Sequence, residues 1–141
     1  MELFAIKNQQ NRLPYDGCAH YYGPIITPLE ADDYFNILMS QINWEFDEAI
    51  IFGKRIITKR KVAWYGDSPY SYTYSKVTKH ALPWTPTLKI IKALIEEKAK
   101  SEFNSCLLNL YHNGSEGMGW HSDGEKELVK HGVIASMSFG A

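Results

Sequence analysis

This sequence lacks most of the features that mark secreted, membrane-bound or strongly charged proteins. It has only two cysteines, Cys18 and Cys106, which are too few for a disulfide framework, so we expect both to be reduced thiols. No apolar run approaches the roughly 20 residues of a membrane span, and the N-terminus lacks the apolar core of a signal peptide. The net charge of −1 excludes a global attraction to nucleic acid. We therefore expect a cytoplasmic protein with no membrane partner.

The charge that is present is distributed unevenly. The chain has 141 residues, which is the size of one domain, and residues 54–61 hold five cations in eight positions. Acidic residues collect at 30–33, 45–48 and 123–127. A local basic stripe can bind phosphates on a neutral protein, but lysines also protect a solvated edge strand. Charge alone leaves both interpretations open and favours the edge strand.

Helix start signals occur twice. Thr27 is followed by a proline and, three residues on, by Glu30, which predicts a capping box and a helix that ends near Asn43. Thr85 and Pro86 open a second helix in the same way. Apolar residues at helical spacing follow both starts, so each helix has one face to bury.

Strands are predicted where β-prone residues run or alternate between turn residues. The predicted strands are residues 49–52, 56–64, 70–77, 105–112 and 133–139, with turns at Gly53 and at residues 66–69. On the fourth of these strands Leu107, Asn109 and Tyr111 share a face, because side chains alternate along a strand. Two hydrogen-bonding groups on a leucine-rich strand indicate a pocket wall; the alternative is a polar pair at a sheet edge.

The segment Gly119-Trp120-His121-Ser122-Asp123 holds the strongest chemical signal. On an extended segment His121 and Asp123 lie side by side. A histidine and a carboxylate so placed are two of the three ligands in the facial triad that holds non-heme Fe(II). The alternative is a histidine and an aspartate in a surface turn. The third ligand should be a histidine well downstream, so we expect this chain to be incomplete at its C-terminus.

Several ordered segments together carry a family resemblance. They are residues 13–24, 60–67, 72–75, 103–114, 120–125 and 133–141. In these segments the chain resembles the AlkB family of Fe(II)- and 2-oxoglutarate-dependent dioxygenases, in the branch that contains the DNA-repair demethylases. The resemblance implies an α+β, mainly β fold with a double-stranded β-helix (jelly-roll) core. It implies one domain over residues 1–141, with an N-terminal extension and nucleotide-recognition lid over 1–84 and the helix and first core strands over 85–141.

The same resemblance implies the cofactors and their ligands. Fe(II) and 2-oxoglutarate would be the cofactors, with His121 and Asp123 as catalytic metal ligands and Asn109 and Tyr111 as contacts of 2-oxoglutarate. The distal histidine ligand and the arginines that grip the 2-oxoglutarate carboxylates should lie beyond Ala141. We therefore expect the chain as given to hold iron poorly and to be inactive alone.

The resemblance also implies a set of substrate-binding residues. They are Phe52, Arg60, Tyr72, Tyr74, Ser75 and Glu125. Phe52 would fill the gap left by a flipped base, although a phenylalanine in an apolar run is more often a core residue. Tyr74 would stack on the base, Tyr72 and Glu125 would read its polar edge, and Arg60 would meet the nucleic-acid backbone or neighbouring bases.

The implied function is the oxidative demethylation of N-alkylated bases such as 1-methyladenine and 3-methylcytosine in DNA. The expected partner is alkylated DNA, with RNA as an alternative, and we expect a monomer that lies at the nucleoid in a bacterium or in the nucleus of a eukaryote. Two other functions stay open: a non-catalytic nucleic-acid-binding module, and a related dioxygenase that acts on RNA or protein.

The sequence departs from the family pattern at three places. Lys59 stands where a proline usually precedes Arg60, His112 stands where a basic residue is common, and Lys76 replaces a common glycine. These changes do not alter the residues expected to carry the chemistry, but they make the preferred substrate less well defined.

Overall fold

The computed structural model describes residues 10–74, 76–119, 121 and 132–140. These residues form a mixed α+β arrangement. Its elements are α1 (Pro28–Gln41), β1 (Glu45–Ile51), β2 (Lys54–Gly66), β3 (Ser71–Tyr74), β4 (Val77–His80), β5 (Leu82–Pro83), α2 (Pro86–Ala99) and β6 (Ser105–Leu110). Neither of these helices is long and apolar enough to cross a membrane.

The chain divides into two compact units, one built from residues up to Asn36 with Ser138 onward and one from Ile37 to Met137. In the smaller unit the rings of Tyr34 and Phe139 pack edge to face, with their centroids 6.3 Å apart. The larger unit holds every strand and α2. The single-domain organisation expected from the sequence stays a prediction.

Both helix starts are confirmed. The Glu30 backbone N–H donates to Thr27 Oγ1 and the Thr27 N–H donates to Glu30 Oε1, each at 3.2 Å, which is a complete capping box. Thr85 Oγ1 accepts from the Leu88 N–H at 3.1 Å and caps α2. α1 ends at Gln41, two residues before the predicted Asn43.

The long strand β2 is the centre of the main sheet. β1 pairs with it antiparallel, β6 pairs antiparallel with its last six residues, Lys61 to Gly66, and β5 pairs parallel with its final two. The buried apolar residues of this unit are Leu38, Ile42, Val62, Ala63, Tyr65, Ala81, Leu88 and Ile91. The core therefore lies at the C-terminal half of β2, while its N-terminal half is exposed.

The turn between β1 and β2 is a two-residue loop. Ile51 pairs with Lys54, so only Phe52 and Gly53 lie between the strands. Both have positive φ, 50° for Phe52 and 76° for Gly53, which are the signs of a type I′ turn. The predicted turn at Gly53 is confirmed. Phe52 has a left-handed backbone conformation, which is unfavourable for any residue with a side chain.

An irregularity interrupts the same pair of strands nearer the core. Phe46 pairs with Lys61 and Glu48 pairs with Ile57, so three residues of β2 face Asp47 alone. The Thr58 hydroxyl lies 2.9 Å from the Arg60 carbonyl oxygen and can donate to it inside this bulge. Bulges bend a strand and re-aim its side chains.

The single strand predicted over residues 70–77 is wrong in its connectivity. The segment forms a hairpin in which β3 pairs antiparallel with β4, and the chain reverses after Tyr74. Lys76 has a φ of 64°, the left-handed conformation that turns require. This turn has no glycine, proline or asparagine, the residues that usually indicate one. The alternating pattern alone therefore predicted one continuous strand.

Two other predicted strands differ from the structure. β6 ends at Leu110 and not at His112, because the His112 N–H turns to donate to Glu116 Oε2 at 2.9 Å. Residues 133–139 are not a strand: the described residues 132–140 hold no strand. A strand requires ladder hydrogen bonds to a neighbour as well as β-prone residues, and alternation in the sequence reports only the residues.

Candidate active site

β6 presents the polar face that the sequence predicted. Leu107 and Asn109 are exposed, as is Tyr111 directly after the strand, whereas Cys106, Leu108 and Leu110 are half-buried. The alternation of side chains along this strand is thereby confirmed. Asn109 and Tyr111 are the two positions predicted to contact 2-oxoglutarate, and both offer hydrogen-bond donors.

Asn109 is oriented by Arg60 on the neighbouring strand. Asn109 pairs with Val62, and Arg60 precedes Val62 by two residues, so both side chains lie on one face of the sheet. Arg60 Nη1 donates to Asn109 Oδ1 at 3.2 Å. Because a guanidinium only donates, the amide oxygen must face Arg60. The Nδ2 hydrogens then point away from Arg60, which suits a carboxylate acceptor such as 2-oxoglutarate.

Asp47 holds the other side of the same arginine. Arg60 Nη2 donates to Asp47 Oδ2 at 3.0 Å, and Lys79 Nζ donates to Asp47 Oδ1. Burial raises the pKa of Asp47, but the hydrogen bond and charge of Lys79, together with Arg60, outweigh it and leave the pKa below its ordinary value of 3.8. Asp47 is therefore an anion at neutral pH, shared by two cations.

Sequence reasoning missed Asp47 and Lys79. The acidic group at 45–48 was visible in the sequence, but nothing in it singled out Asp47. The bulge places Asp47 opposite residues 58–60, and the unpredicted turn at Lys76 brings Lys79 back along β3. Both pairings depend on irregular backbone that alternation does not report.

His121 is exposed and has a defined ring orientation. Its Nδ1 lies 2.9 Å from the Gly119 carbonyl oxygen. A carbonyl oxygen only accepts, so Nδ1 carries the hydrogen, and in the neutral ring the lone pair is on Nε2. Metal-binding histidines commonly have their other ring nitrogen fixed in this way. The ring is therefore suited to bind a metal through Nε2.

Three other predicted site residues, one metal ligand and two substrate contacts, are not described. Asp123, Glu125 and Ser75 lie outside the described residues. Among the residues that are described, no group of three or more histidine, cysteine, aspartate or glutamate side chains could hold a metal ion. His121 is thus the one predicted iron ligand that lies among the described residues, and its role, like those of the other two ligands, stays a prediction.

Phe52 is fully exposed at the tip of the β1–β2 hairpin. The interpretation of Phe52 as a core residue is therefore wrong. Lys54 and Lys59, from the basic stripe, are also exposed on this hairpin. Two other cations of the basic stripe interact with β1. Arg55 Nε donates to Glu48 Oε2 at 2.8 Å, and Lys61 Nζ lies 4.9 Å from the centre of the Phe46 ring.

The predicted base-reading tyrosines lie on the second hairpin. Tyr72 is half-buried and pairs with Lys79, the lysine that binds Asp47. Tyr74 ends β3 opposite Val77. Directly opposed residues of an antiparallel pair have adjacent side chains on one face, so Tyr72 and Lys79 are neighbours. The structure thereby brings Tyr72, Lys79, Asp47, Arg60 and Asn109 into one continuous group.

Two further titratable groups lie on β6 and in the turn after it. The His112 backbone N–H, hydrogen-bonded to Glu116, lowers the pKa of that carboxyl, and the His112 ring contributes in the same direction. Burial raises the pKa of the Cys106 thiol to about 11. Cys106 is therefore a protonated packing residue at neutral pH rather than a nucleophile.

Known proteins resemble this chain over most of its length. The chain is 42% identical over 113 residues to alpha-ketoglutarate-dependent dioxygenase alkB homolog 3 of Bos taurus, covering 79% of this chain and 39% of that protein. It is 39% identical over 121 residues to the Homo sapiens protein of the same name, covering 85% and 42%. It is 35% identical over 130 residues to DNA oxidative demethylase ALKBH2 of Mus musculus, covering 89% and 54%.

The chain spans about two fifths to one half of the length of these curated relatives. A family model, described as the 2OG-Fe(II) oxygenase superfamily, matches residues 17–141. The match includes the strand that carries Asn109 and the segment that carries His121. The chain therefore belongs to the 2OG-Fe(II) oxygenase superfamily.

Proposed function

We propose that this protein demethylates N-alkylated bases, such as 1-methyladenine and 3-methylcytosine, in DNA by an oxidation that uses Fe(II), O2 and 2-oxoglutarate. The proposed fold around the site is the double-stranded β-helix expected from the sequence. The similarity to dioxygenases named as alkB homolog 3 and as DNA oxidative demethylase ALKBH2 supports this activity.

One observation carries the DNA part of the proposal: Phe52 is fully exposed at a hairpin tip in a left-handed conformation. Neither the exposure nor the backbone conformation helps the fold, because an exposed ring buries no apolar surface and a positive φ strains a residue with a side chain. A projecting apolar wedge suits insertion between base steps. Lys54, two residues away, is exposed and would meet a phosphate.

The residues around the site have complementary roles in the proposal. His121, through Nε2, and Asp123 would hold the iron, while Asn109 Nδ2 and the Tyr111 hydroxyl would donate to 2-oxoglutarate oxygens. When bound, iron and 2-oxoglutarate would supply, with O2, the oxidation of an N-methyl group to formaldehyde, coupled to the conversion of 2-oxoglutarate to succinate and CO2. The protein orients the methyl group and excludes water.

Chemistry on a base within a duplex requires its extrusion, which costs a few kcal/mol. Stacking on Tyr74 would return about 1 to 3 kcal/mol, and Phe52 would limit the loss of stacking in the duplex. Tyr72, Ser75 and Glu125 would read the polar edge of the flipped base. Lys54 and Lys59 would make binding weaken with salt.

The direct test measures formaldehyde release from a methylated oligonucleotide by the complete protein, with and without 2-oxoglutarate. We expect release that requires both Fe(II) and 2-oxoglutarate and that His121→Ala reduces at least a hundredfold, because one iron ligand is lost. His20→Ala is the matched control, since His20 is an exposed histidine outside the proposed site, and it should retain wild-type release.

Absence of release by a wild-type protein that binds iron would overturn the proposal. Salt-dependent DNA binding without release, unchanged in His121→Ala, would identify a non-catalytic binding module. Faster release from methylated RNA or peptide than from DNA would move the proposal to those substrates.

A further inference from the structure

Four polar side chains connect the two sides of the proposed site. Asn109 on β6 accepts from Arg60 on β2, Arg60 donates to Asp47 on β1, and Asp47 also accepts from Lys79 on β4. At one end Asn109 is a proposed 2-oxoglutarate contact. At the other end Lys79 pairs across its hairpin with Tyr72, a proposed base contact.

The bulge between β1 and β2 explains why Asp47 can bind Arg60. Residues 58–60 of β2 lie opposite Asp47 alone in the strand register, and the Thr58 hydroxyl is within hydrogen-bond distance of the Arg60 carbonyl oxygen. The bulge therefore fixes the backbone of Arg60 while Asp47 fixes its guanidinium. Only 11% of the Arg60 side chain is exposed, so this arginine is held within the protein surface rather than extended toward solvent.

The charges make Asp47 the central member of the group. Arg60 and Lys79 are both cations and bind different oxygens of one carboxylate. Without that carboxylate the two would repel each other, and the largely buried guanidinium would lose its counter-ion. Removing Asp47 should therefore release both partners at once, whereas removing Lys79 should leave the Arg60 pair in place.

We propose that Asp47 is a positioning residue that couples the 2-oxoglutarate contact Asn109 to the base-recognition hairpin β3–β4. It holds Arg60 so that Asn109 turns its Nδ2 toward 2-oxoglutarate, and it holds Lys79 so that the hairpin keeps Tyr72 in place. This inference rests on the proposed function, because Asn109 and Tyr72, at the two ends of the group, are ligand contacts only under that function.

The test uses binding rather than turnover. In the complete protein loaded with Mn(II), 2-oxoglutarate affinity is measured by calorimetry, and affinity for a fluorescent methylated oligonucleotide is measured by anisotropy. Asp47→Ala should weaken 2-oxoglutarate binding at least fivefold and oligonucleotide binding at least threefold. Lys79→Met should weaken oligonucleotide binding and leave 2-oxoglutarate affinity within twofold of the wild type.

A neighbouring carboxylate provides the control. Glu48 is the next residue of β1 and also binds an arginine, Arg55, but this pair lies outside the group. Glu48→Ala should leave both affinities within twofold of wild type. Asp47→Asn keeps the size of the side chain and serves if Asp47→Ala does not fold; it should show the same pattern with smaller losses.

The outcomes separate this inference from the proposed function. If the wild type binds both ligands and the Asp47 variants bind them equally well with only a lower Tm, Asp47 is structural and the inference fails. Equal losses of 2-oxoglutarate affinity in Lys79→Met and Asp47→Ala would also overturn it. If the wild type binds neither ligand, the proposed function fails, and the inference fails with it.

Discussion

The two halves of β2 belong to one strand but differ in burial and in pairing. From Val62 to Gly66 the strand pairs with β6 throughout and with β1 or β5 at its two ends, and Tyr65 is only 3% exposed. From Lys54 to Arg60 it pairs with β1 alone among the described strands and has exposed cations and isoleucines. The first of these regions holds the core together, and the second is a projecting hairpin with Phe52 at its tip.

Under the proposed function, one strand would combine stability with recognition. Burial at one end provides the free energy that lets the other end expose an apolar ring. The bulge opposite Asp47 lies where the two halves meet, and there the strand changes from exposed to buried. If this comparison is right, substitutions in the two halves should separate stability from binding.

The largest effect is expected at the buried half. Tyr65→Ala should lower the free energy of unfolding by about 3 to 5 kcal/mol, because it removes a buried ring. Tyr65→Phe should cost about 1 kcal/mol, since only the hydrogen bond from the Asn43 N–H at 3.1 Å is lost. Ile57→Ala in the exposed half should change stability by less than about 0.5 kcal/mol. Urea denaturation measures all three, and equal losses in Tyr65→Ala and Ile57→Ala would contradict the comparison.

The next effect concerns Asp47, where the two halves of β2 meet, and the dependence of stability on pH. The pKa of Asp47 is lowered in the folded protein, so its contribution to stability is present above the unfolded pKa near 3.8 and is lost as pH falls through the lower folded pKa. Stability of the wild type should therefore fall with pH below about 4 more steeply than that of Asp47→Asn, which has no carboxylate to protonate. Urea midpoints of both proteins, measured between neutral pH and pH 2.5, give this difference in stability. If the two midpoints fall in parallel as the pH is lowered, the Asp47 carboxylate makes no such contribution.

A smaller effect on stability than at the buried half, and of the opposite sign, is expected at the tip. Phe52→Asn should raise the free energy of unfolding by roughly 0.5 to 1 kcal/mol, because Asn-Gly suits a type I′ turn and phenylalanine does not. The same change should weaken binding of a methylated duplex about tenfold, since stacking contributes about 1 to 3 kcal/mol per base.

Lys100→Gly is the matched control for this change. It relieves a similar positive φ, 51°, at the C-terminal end of α2, outside both hairpins, and should also stabilise the fold, but with duplex affinity within twofold of wild type. A loss of stability in Phe52→Asn would show that the ring packs against the fold, and unchanged binding would remove Phe52 from the proposed interface.

Local signals predicted the helix starts well. Thr27 with Glu30 and Thr85 with Pro86 fixed the two helix starts, because capping satisfies backbone donors within four residues of the cap. Alternation predicted that Leu107 and Asn109 lie on the exposed face of β6, since the strand period is two. The turn at Lys76 escaped prediction because a lysine in the left-handed conformation leaves no compositional signal.

The sequence by itself determined the caps, the alternating face of β6 and the segment that contains His121, because each depends on residues a few positions apart. Only the tertiary structure decided that Phe52 is exposed, that Asp47 joins Arg60 to Lys79, and that Arg60 orients Asn109. These contacts bring together residues up to 49 positions apart in the chain. They depend on strand register and on a bulge, which are set by the hydrogen bonding of whole strands rather than by any short run of residues.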